Sequence, residues 1–245
     1  MATQVRELVR DRAFLIRSTD YGDDHLILSL LTSEHGRVEL IARSAKKSLK
    51  RFVGSLDFLQ VMECEFKPNP HGGLATLTQC HVQEVFEEVR EDYSLSIFAL
   101  QWTKLLSQAV QQGQNVSGLF MLLRDNLACL RLGEIFFRDL SFRYHLLSLL
   151  GYHLDFALCA RCRENIGGNC RLYPEDGGVL CGDCDASHRG FELEIQVVKL
   201  LSGDVPSQSV EKTSYDKALH SLQKCFQSLL GIEFGDIDFN FPSML

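Results

Sequence analysis

The 245 residues predict an α+β multidomain chain: a small β-barrel first, a helical domain after it, and a cysteine-rich insertion set into the helices. Three observations carry this. Short apolar runs broken by turn residues fill positions 13–82. The apolar spacing then lengthens to that of helices. Finally, residues 159–184 hold two Cys-x-x-Cys pairs.

The strands come first. AFLIRST (13–19), LILSLLT (26–32) and RVELIA (37–42) are short, apolar and separated by DYGDD and SEHG, both rich in turn formers. VMECEFK (61–67) alternates, with Val61, Glu63 and Glu65 on one face and Met62, Cys64 and Phe66 on the other. PNPHGG is a hairpin turn, and LATLTQCHV (74–82) returns. Five strands in so short a stretch must close or be covered to protect their edges. A five-stranded Greek-key barrel, the OB-fold, is the natural solution. An SH3-like barrel is the competing option from pattern alone.

The helices follow. Between Tyr93 and Val110 the apolar residues Leu95, Phe98, Ala99, Trp102, Leu105, Leu106 and Ala109 keep i, i+3, i+4 spacing. QQGQN breaks that helix. Ser117 can cap a second, which runs to just before Gly133. A third covers 134–150 and ends at Gly151, a plausible C′ glycine. Residues 155–190 are turn-rich, whereas 191–201 and 215–230 look helical. The last stretch, GIEFGDIDFNFPSML, is acidic and aromatic without a clear period. The expected division is therefore 1–82 for the barrel, 83–154 with 191–245 for the helical domain, and 155–190 for the insertion.

Cys159, Cys162, Cys181 and Cys184 form C-x2-C-x18-C-x2-C. Each Cys-x-x-Cys turn can aim two thiolates at one ion, so the spacing fits a four-cysteine structural zinc site. The loop between the pairs has little apolar material, and metal binding would supply its folding energy. Four thiolates close the zinc shell and leave no position for a catalytic water. Cys170 is read as a bystander, and His153 and His188 as solvated or hydrogen-bonded side chains. Cys64, Cys80, Cys129 and Cys225 sit singly among apolar residues and read as core packing. A thiol–disulfide role for the pairs is a separate alternative, which would need an exposed low-pKa thiol.

The net charge of −7 argues against nucleic-acid binding through the whole surface. Yet residues 1–82 hold 11 Lys+Arg and 10 Asp+Glu, a net of +1, which leaves −8 for the remainder. Arg37, Arg43, Lys46, Lys47, Lys50 and Arg51 fall within 37–51 against one anion, Glu39. Beside an OB sheet, such a cationic loop suits the backbone of single-stranded nucleic acid without reading its sequence. No phosphate-binding glycine loop, dinucleotide motif or nucleophile elbow occurs. MATQVRELVRDR has no apolar signal region and no run of about 18 apolar residues exists, so a cytoplasmic location is expected, with no membrane partner.

These pieces resemble a known family. AFLIRSTDYGDDHLILSLLTSEHGRVELIARSAKK, GGLATLTQCHVQE, and RYHLLSLLGYHLDFALCARC before CGDC are similar to the RecO family of bacterial recombination mediators. The resemblance covers roughly residues 10–190. It implies a non-enzymatic DNA repair and recombination protein that binds single- and double-stranded DNA and anneals complementary strands. It implies action on DNA coated by single-strand binding protein, whose acidic C-terminal tail such proteins recognise. It also implies RecA loading at gaps with RecR and sometimes RecF, hence a nucleoid-associated place in the cytoplasm, and a structural Zn2+. Lys46, Lys47, Lys50 and Arg51 fall in the family's basic loop. Ser44 stands where many relatives are expected to carry glycine. The acidic C-terminal stretch stands where relatives often carry Lys or Arg, and it faintly echoes the tail of single-strand binding protein. A tail-binding site should pair an apolar pocket with cations. Arg124, Arg131, Arg138 and Arg143, on the second and third helices, are the candidates. The rival readings are a zinc-ribbon regulator or RNA-binding protein on the same barrel, and the oxidoreductase above.

Overall fold

The structure, a computed structural model, describes residues 8–48, 50–52, 54–168, 170–203 and 210–233. The acidic, aromatic segment 234–245 lies outside them. Two compact units divide the chain, residues 1–129 and 130–245.

The first unit opens with β1 (Val9–Tyr21), β2 (His25–Thr32), β3 (Arg37–Ala42), β4 (Gln60–Lys67) and β5 (Ala75–Val85). They form a closed barrel in the order β1-β2-β3-β5-β4. β1 pairs antiparallel with both β2 and β4, and a bulge between Leu15 and Arg17 lets this long strand coil between them. A short parallel contact of β3 with β5, Leu40 opposite Ala75 and Ile41 opposite Thr76, completes the ring. This is the OB-fold that the strand count and spacing predict. The alternation in β4 holds: Met62, Cys64 and Phe66 enter the barrel core with Leu15, Leu28 and Leu30. Cys64 faces Cys80 across β4 and β5, sulfur to sulfur at 3.3 Å, and both are buried.

β1 is buried on both faces over Ala13–Ile16. Its outward Phe14 packs on Phe86 and Phe120, with ring centroids 6.2 and 5.1 Å away. Helices α1 (Glu87–Glu91), α2 (Tyr93–Ala109) and α3 (Leu119–Cys129) belong to the same compact unit as the barrel. α2 buries the seven residues its spacing selects. Asp92 caps it, accepting from the Leu95 N–H at 2.9 Å.

The β2–β3 turn depends on Asp11. Its carboxylate, with a side chain 1% exposed, accepts from Ser33 Oγ at 2.6 Å and from the backbone N–H groups of Glu34 and His35. His35 Nδ1 lies 2.7 Å away. Burial works against the charge, but the bonds from Ser33 and His35 outweigh it and hold the Asp11 carboxyl below its usual range. Asp11→Ala should cost about 2–3 kcal/mol at neutral pH by leaving buried donors unsatisfied. A carboxyl depressed in the fold stabilises above its unfolded pKa, and that contribution disappears as pH falls through the folded value. Urea titrations should therefore show the wild-type advantage over Asp11→Ala shrinking below about pH 4.

The second unit holds α4 (Ile135–Leu149), β6 (Asp155–Cys159), β7 (Cys170–Tyr173), β8 (Gly178–Cys181), β9 (Phe191–Leu193), α5 (Ile195–Leu201) and α6 (Lys212–Leu230). The strands form one sheet in the order β6-β8-β7-β9. α4 ends as the sequence suggests, with Gly151 at φ 97° and the Tyr152 N–H reaching back to Leu147 O. Two expectations change. The insertion is a small sheet with turns rather than turns alone. Residues 191–193, expected to be helical, are a strand, because Leu193 and Phe191 pair with Cys170 and Leu172 on β7. α5 begins only after Glu194 in extended conformation.

Candidate metal centre and nucleic-acid interface

Cys159 closes β6 and Cys181 closes β8, which run parallel and side by side. Gly178 permits this approach: a Cβ there would lie 2.1 Å from Asp155 O, and its φ is 143°. Each strand then enters a tight turn. The Arg163 N–H bonds Cys159 O at 2.9 Å, and the Cys184 N–H bonds Cys181 O at 3.1 Å. These turns bring Cys162 and Cys184 back over their partners. All four sulfurs lie within 4.8 Å of one another. A tetrahedral thiolate site with metal–sulfur bonds of about 2.3 Å has sulfur–sulfur edges of about 3.8 Å. Cys162 and Cys181 stand at 3.8 Å. The Cys181 N–H points at Cys159 Sγ at 3.4 Å. Burial opposes ionisation of Cys159, but the N–H groups of Cys162, Cys181 and Arg161 outweigh it and bring the thiol to about 6. The four cysteines can thus hold one metal ion.

Cys170 is outside this group. It is 3% exposed on β7, and burial first, then the nearby Cys159 and Cys181, push its thiol up to about 11. His153 Nδ1 lies 3.1 Å from Ser148 Oγ, and His188 Nδ1 lies 3.5 Å from Asp185 Oδ2, so both rings have partners other than the sulfurs.

The basic loop lies between β3 and β4. Ser44 has φ 54° and ψ 34°, the left-handed conformation that favours glycine, which accounts for the glycine expected there. Its N–H donates to His25 Nδ1 at 2.8 Å. Arg43, Lys46, Lys47, Lys50 and Arg51 are all exposed. Lys46 pairs with Asp20 at 2.9 Å and Lys47 with Asp24 at 2.6 Å. Arg51 donates to Arg43 O and lies 4.8 Å above the Phe52 ring. Phe52 is 5% exposed in the barrel core, so it packs beneath the loop and offers no ring to a base. Among the described residues, Arg43 and Lys50 have no carboxylate within ion-pair distance.

Arg37 is a correction. Its guanidinium bonds Glu39, and it also donates to the carbonyls of Ser107 and Val110 at 2.6 Å each. Only 14% of the side chain is exposed. Beside it, Gly36 at φ 67° leaves just enough room for the backbone of Gln114, whose O would meet a Cβ at 2.2 Å. Arg37 therefore fixes the β2–β3 turn to the segment after α2 and presents no free charge to a ligand.

Of the arginines proposed for a peptide tail, Arg124 falls in the first unit and Arg131, Arg138 and Arg143 in the second. α3 ends at Cys129, earlier than expected, so Arg131 stands in extended backbone rather than a heptad after Arg124 on one helix. Arg124 pairs with Glu84 at 2.8 Å, and Arg138 with Glu134 at 3.0 Å. Arg143 is 1% exposed, its Nε donating to Asp139 at 2.7 Å, so it cannot meet a ligand at the surface.

The hairpin joining β1 to β2 is what sequence reasoning missed. Tyr21 at its end is 53% exposed and neighbours His25, with ring centroids 6.4 Å apart. The glycine and three aspartates of DYGDD read as turn chemistry, and nothing local says that the tip meets residues 44–47.

Barrel, helices and thiol cluster together define an OB-fold protein with an appended helical region and a closed metal-type site. No described helix is long and apolar enough to cross a membrane. Residues 5–86 match the family described as "Recombination protein O N terminal", and residues 90–231 match "Recombination protein O C terminal". The chain is 30% identical over 181 residues to the DNA repair protein RecO of Pelobacter propionicus, covering 73% of this chain and 72% of that protein. It is 31% identical over 183 residues to the DNA repair protein RecO of Bacillus pumilus, covering 72% and 68%. A more distant likeness, 23% over 242 residues, spans 95% of this chain and 96% of the DNA repair protein RecO of Alkaliphilus metalliredigens. The chain belongs to the RecO family, a family of recombination and DNA repair proteins.

Proposed function

We propose that this chain is a non-enzymatic recombination mediator whose barrel binds single- and double-stranded DNA. It anneals complementary strands coated with single-strand binding protein. With RecR, and with RecF where RecF takes part, it promotes RecA loading at gaps, in the nucleoid of the cytoplasm. The division of labour follows the three parts expected from sequence: residues 1–82 contact DNA, the helical segments meet protein partners, and 155–190 are stabilised by one structural zinc ion. Zinc suits a closed set of four thiolates whose turns donate N–H groups to sulfur.

One observation carries the reading. Arg43, Lys46, Lys47, Lys50 and Arg51 are exposed on a single loop of an OB barrel in a RecO-family chain. For the tail of single-strand binding protein, support comes from a cleft of about 760 Å³ in the second unit, where Phe137, Leu140, Leu200 and Leu201 stand with Arg163, itself paired with Asp155 at 3.2 Å. Arg131 and Arg138 remain candidates on the same unit, with Arg124 on the first.

The test is annealing of coated complementary strands. Changing Lys46, Lys47, Lys50 and Arg51 together to Glu should abolish annealing and weaken single-strand binding at least tenfold, with metal content unchanged. Wild-type binding should fall with salt at a log–log slope of roughly −3, as four phosphate contacts require. Annealing by both proteins would move the DNA site, and no annealing by folded wild type would overturn the mediator reading.

A further inference from the structure

The β1–β2 hairpin and the basic loop touch at four points. Asp20 pairs with Lys46 at 2.9 Å, and Asp24 pairs with Lys47 at 2.6 Å. The Ser44 N–H donates to His25 Nδ1 at 2.8 Å, and the Lys46 N–H donates to Asp24 O at 3.2 Å. The backbone N–H contacts fix the hairpin against the loop, while each ion pair has one member open to water, Asp20 at 74% and Lys47 at 73% exposed, against 37% for Lys46 and 28% for Asp24. Exposed pairs of this kind are weak and give way to a better anion. Between the two acids in the chain lies Tyr21, whose ring is half exposed and has no aromatic neighbour other than His25 among the described residues.

We infer that the hairpin tip is the second half of the single-strand-binding surface, with Tyr21 the platform for an unstacked base and Asp20 and Asp24 the anions that a phosphodiester displaces from Lys46 and Lys47. This rests on the DNA-binding reading above and adds three things to it. The carboxylates hold the lysine ammonium groups extended before DNA arrives, so less side-chain freedom is lost on binding. They also set a threshold, because each phosphate must displace a carboxylate to reach its lysine. The ring adds a preference for single strands, since a base inside a duplex cannot leave its stack for a tyrosine without unpairing.

Fluorescence anisotropy on the full chain tests this, with a random-sequence single strand and a blunt duplex as probes. Tyr21→Ala should weaken single-strand binding about tenfold, the loss of one stacked base, and change duplex binding by less than about twofold. Tyr21→Phe should restore it. Asp20→Asn and Asp24→Asn should each tighten single-strand binding by about threefold. Asp23→Asn is the control. It removes the same charge from the same tip, but Asp23 makes no ion pair with a lysine, so its effect should stay under about 1.5-fold. Equal effects of Asp20, Asp23 and Asp24 would reduce the carboxylates to general repulsion and overturn the displacement. Equal losses on both probes in Tyr21→Ala would overturn the platform. If the four-cation Glu variant binds like wild type, the DNA site lies away from the loop and the loop part of the DNA-binding reading falls. If that variant fails to bind while the hairpin variants match wild type, only the present inference falls.

Discussion

Cys181→Ser should release the bound metal and unfold the β6-β8-β7-β9 sheet, with a loss on the order of 10 kcal/mol of metal-linked folding energy. The expectation follows from what surrounds the cluster. Cys181 ends β8, stands 3.8 Å from Cys162, and its own N–H supports Cys159 Sγ. Removing it opens the metal shell and loosens the β8 end where both Cys-x-x-Cys turns meet. Wild type should carry one equivalent of zinc by atomic absorption, and the variant much less than one. Hydrogen exchange should accelerate across 155–193 and leave the barrel strands protected. Cys170→Ser is the discriminating companion, because its sulfur stands outside the four-thiol group and the variant should keep a full equivalent. Full metal occupancy in Cys181→Ser, or loss in Cys170→Ser, would reassign the ligands.

Arg143→Ala should destabilise the second unit by about 3–5 kcal/mol, the cost of leaving a buried charge without its partner. Asp139 is fully enclosed, and one of its oxygens accepts from both Arg143 Nε at 2.7 Å and the Tyr215 hydroxyl at 2.9 Å. Burial, reinforced by Asp139, pushes the Tyr215 phenol well up, so it remains a donor across the working pH range. Tyr215 also stacks on Phe136 at 4.6 Å, so the polar pair and the ring contact join α4 to α6 at one place. Asp139→Leu with Arg143→Met should recover part of the loss, since removing both charges leaves only the Tyr215 hydroxyl without the acceptor that Asp139 supplies. A double-mutant cycle in urea measures it. An additive cycle, with both singles costing under about 1 kcal/mol, would show that the pair is solvated. The same experiment separates structure from recognition: loss of peptide-tail binding in Arg143→Ala should follow loss of fold, and the double variant should keep that binding.

The barrel was legible because its signals are local. Period-2 alternation in β4, turn residues at 20–24 and 33–36, and apolar runs in β1–β3 each act over a few residues, and the observed strands extend the expected ones by a few positions. α2 was legible for the same reason, since burial on one helical face imposes its spacing. The cysteine pairs were legible because tetrahedral thiolate coordination tolerates few spacings. The start of β9 was not, because FEL becomes a strand only when Cys170 and Leu172 offer it an edge some twenty residues upstream.

Residue type and neighbourhood in the chain therefore determined the strand set, the helical face of α2, the four cysteines of the thiol cluster and the presence of a cationic loop. Only the tertiary structure decided which cations are available. Arg37 is held by carbonyls seventy residues away, Arg143 by an Asp139 that Tyr215 also bonds inside the second unit, and Lys46 and Lys47 by a hairpin whose acids read as an ordinary turn. The physical reason is that a charged side chain is placed by whatever satisfies it. Those partners are fixed by contacts between elements distant in sequence, which no local pattern records.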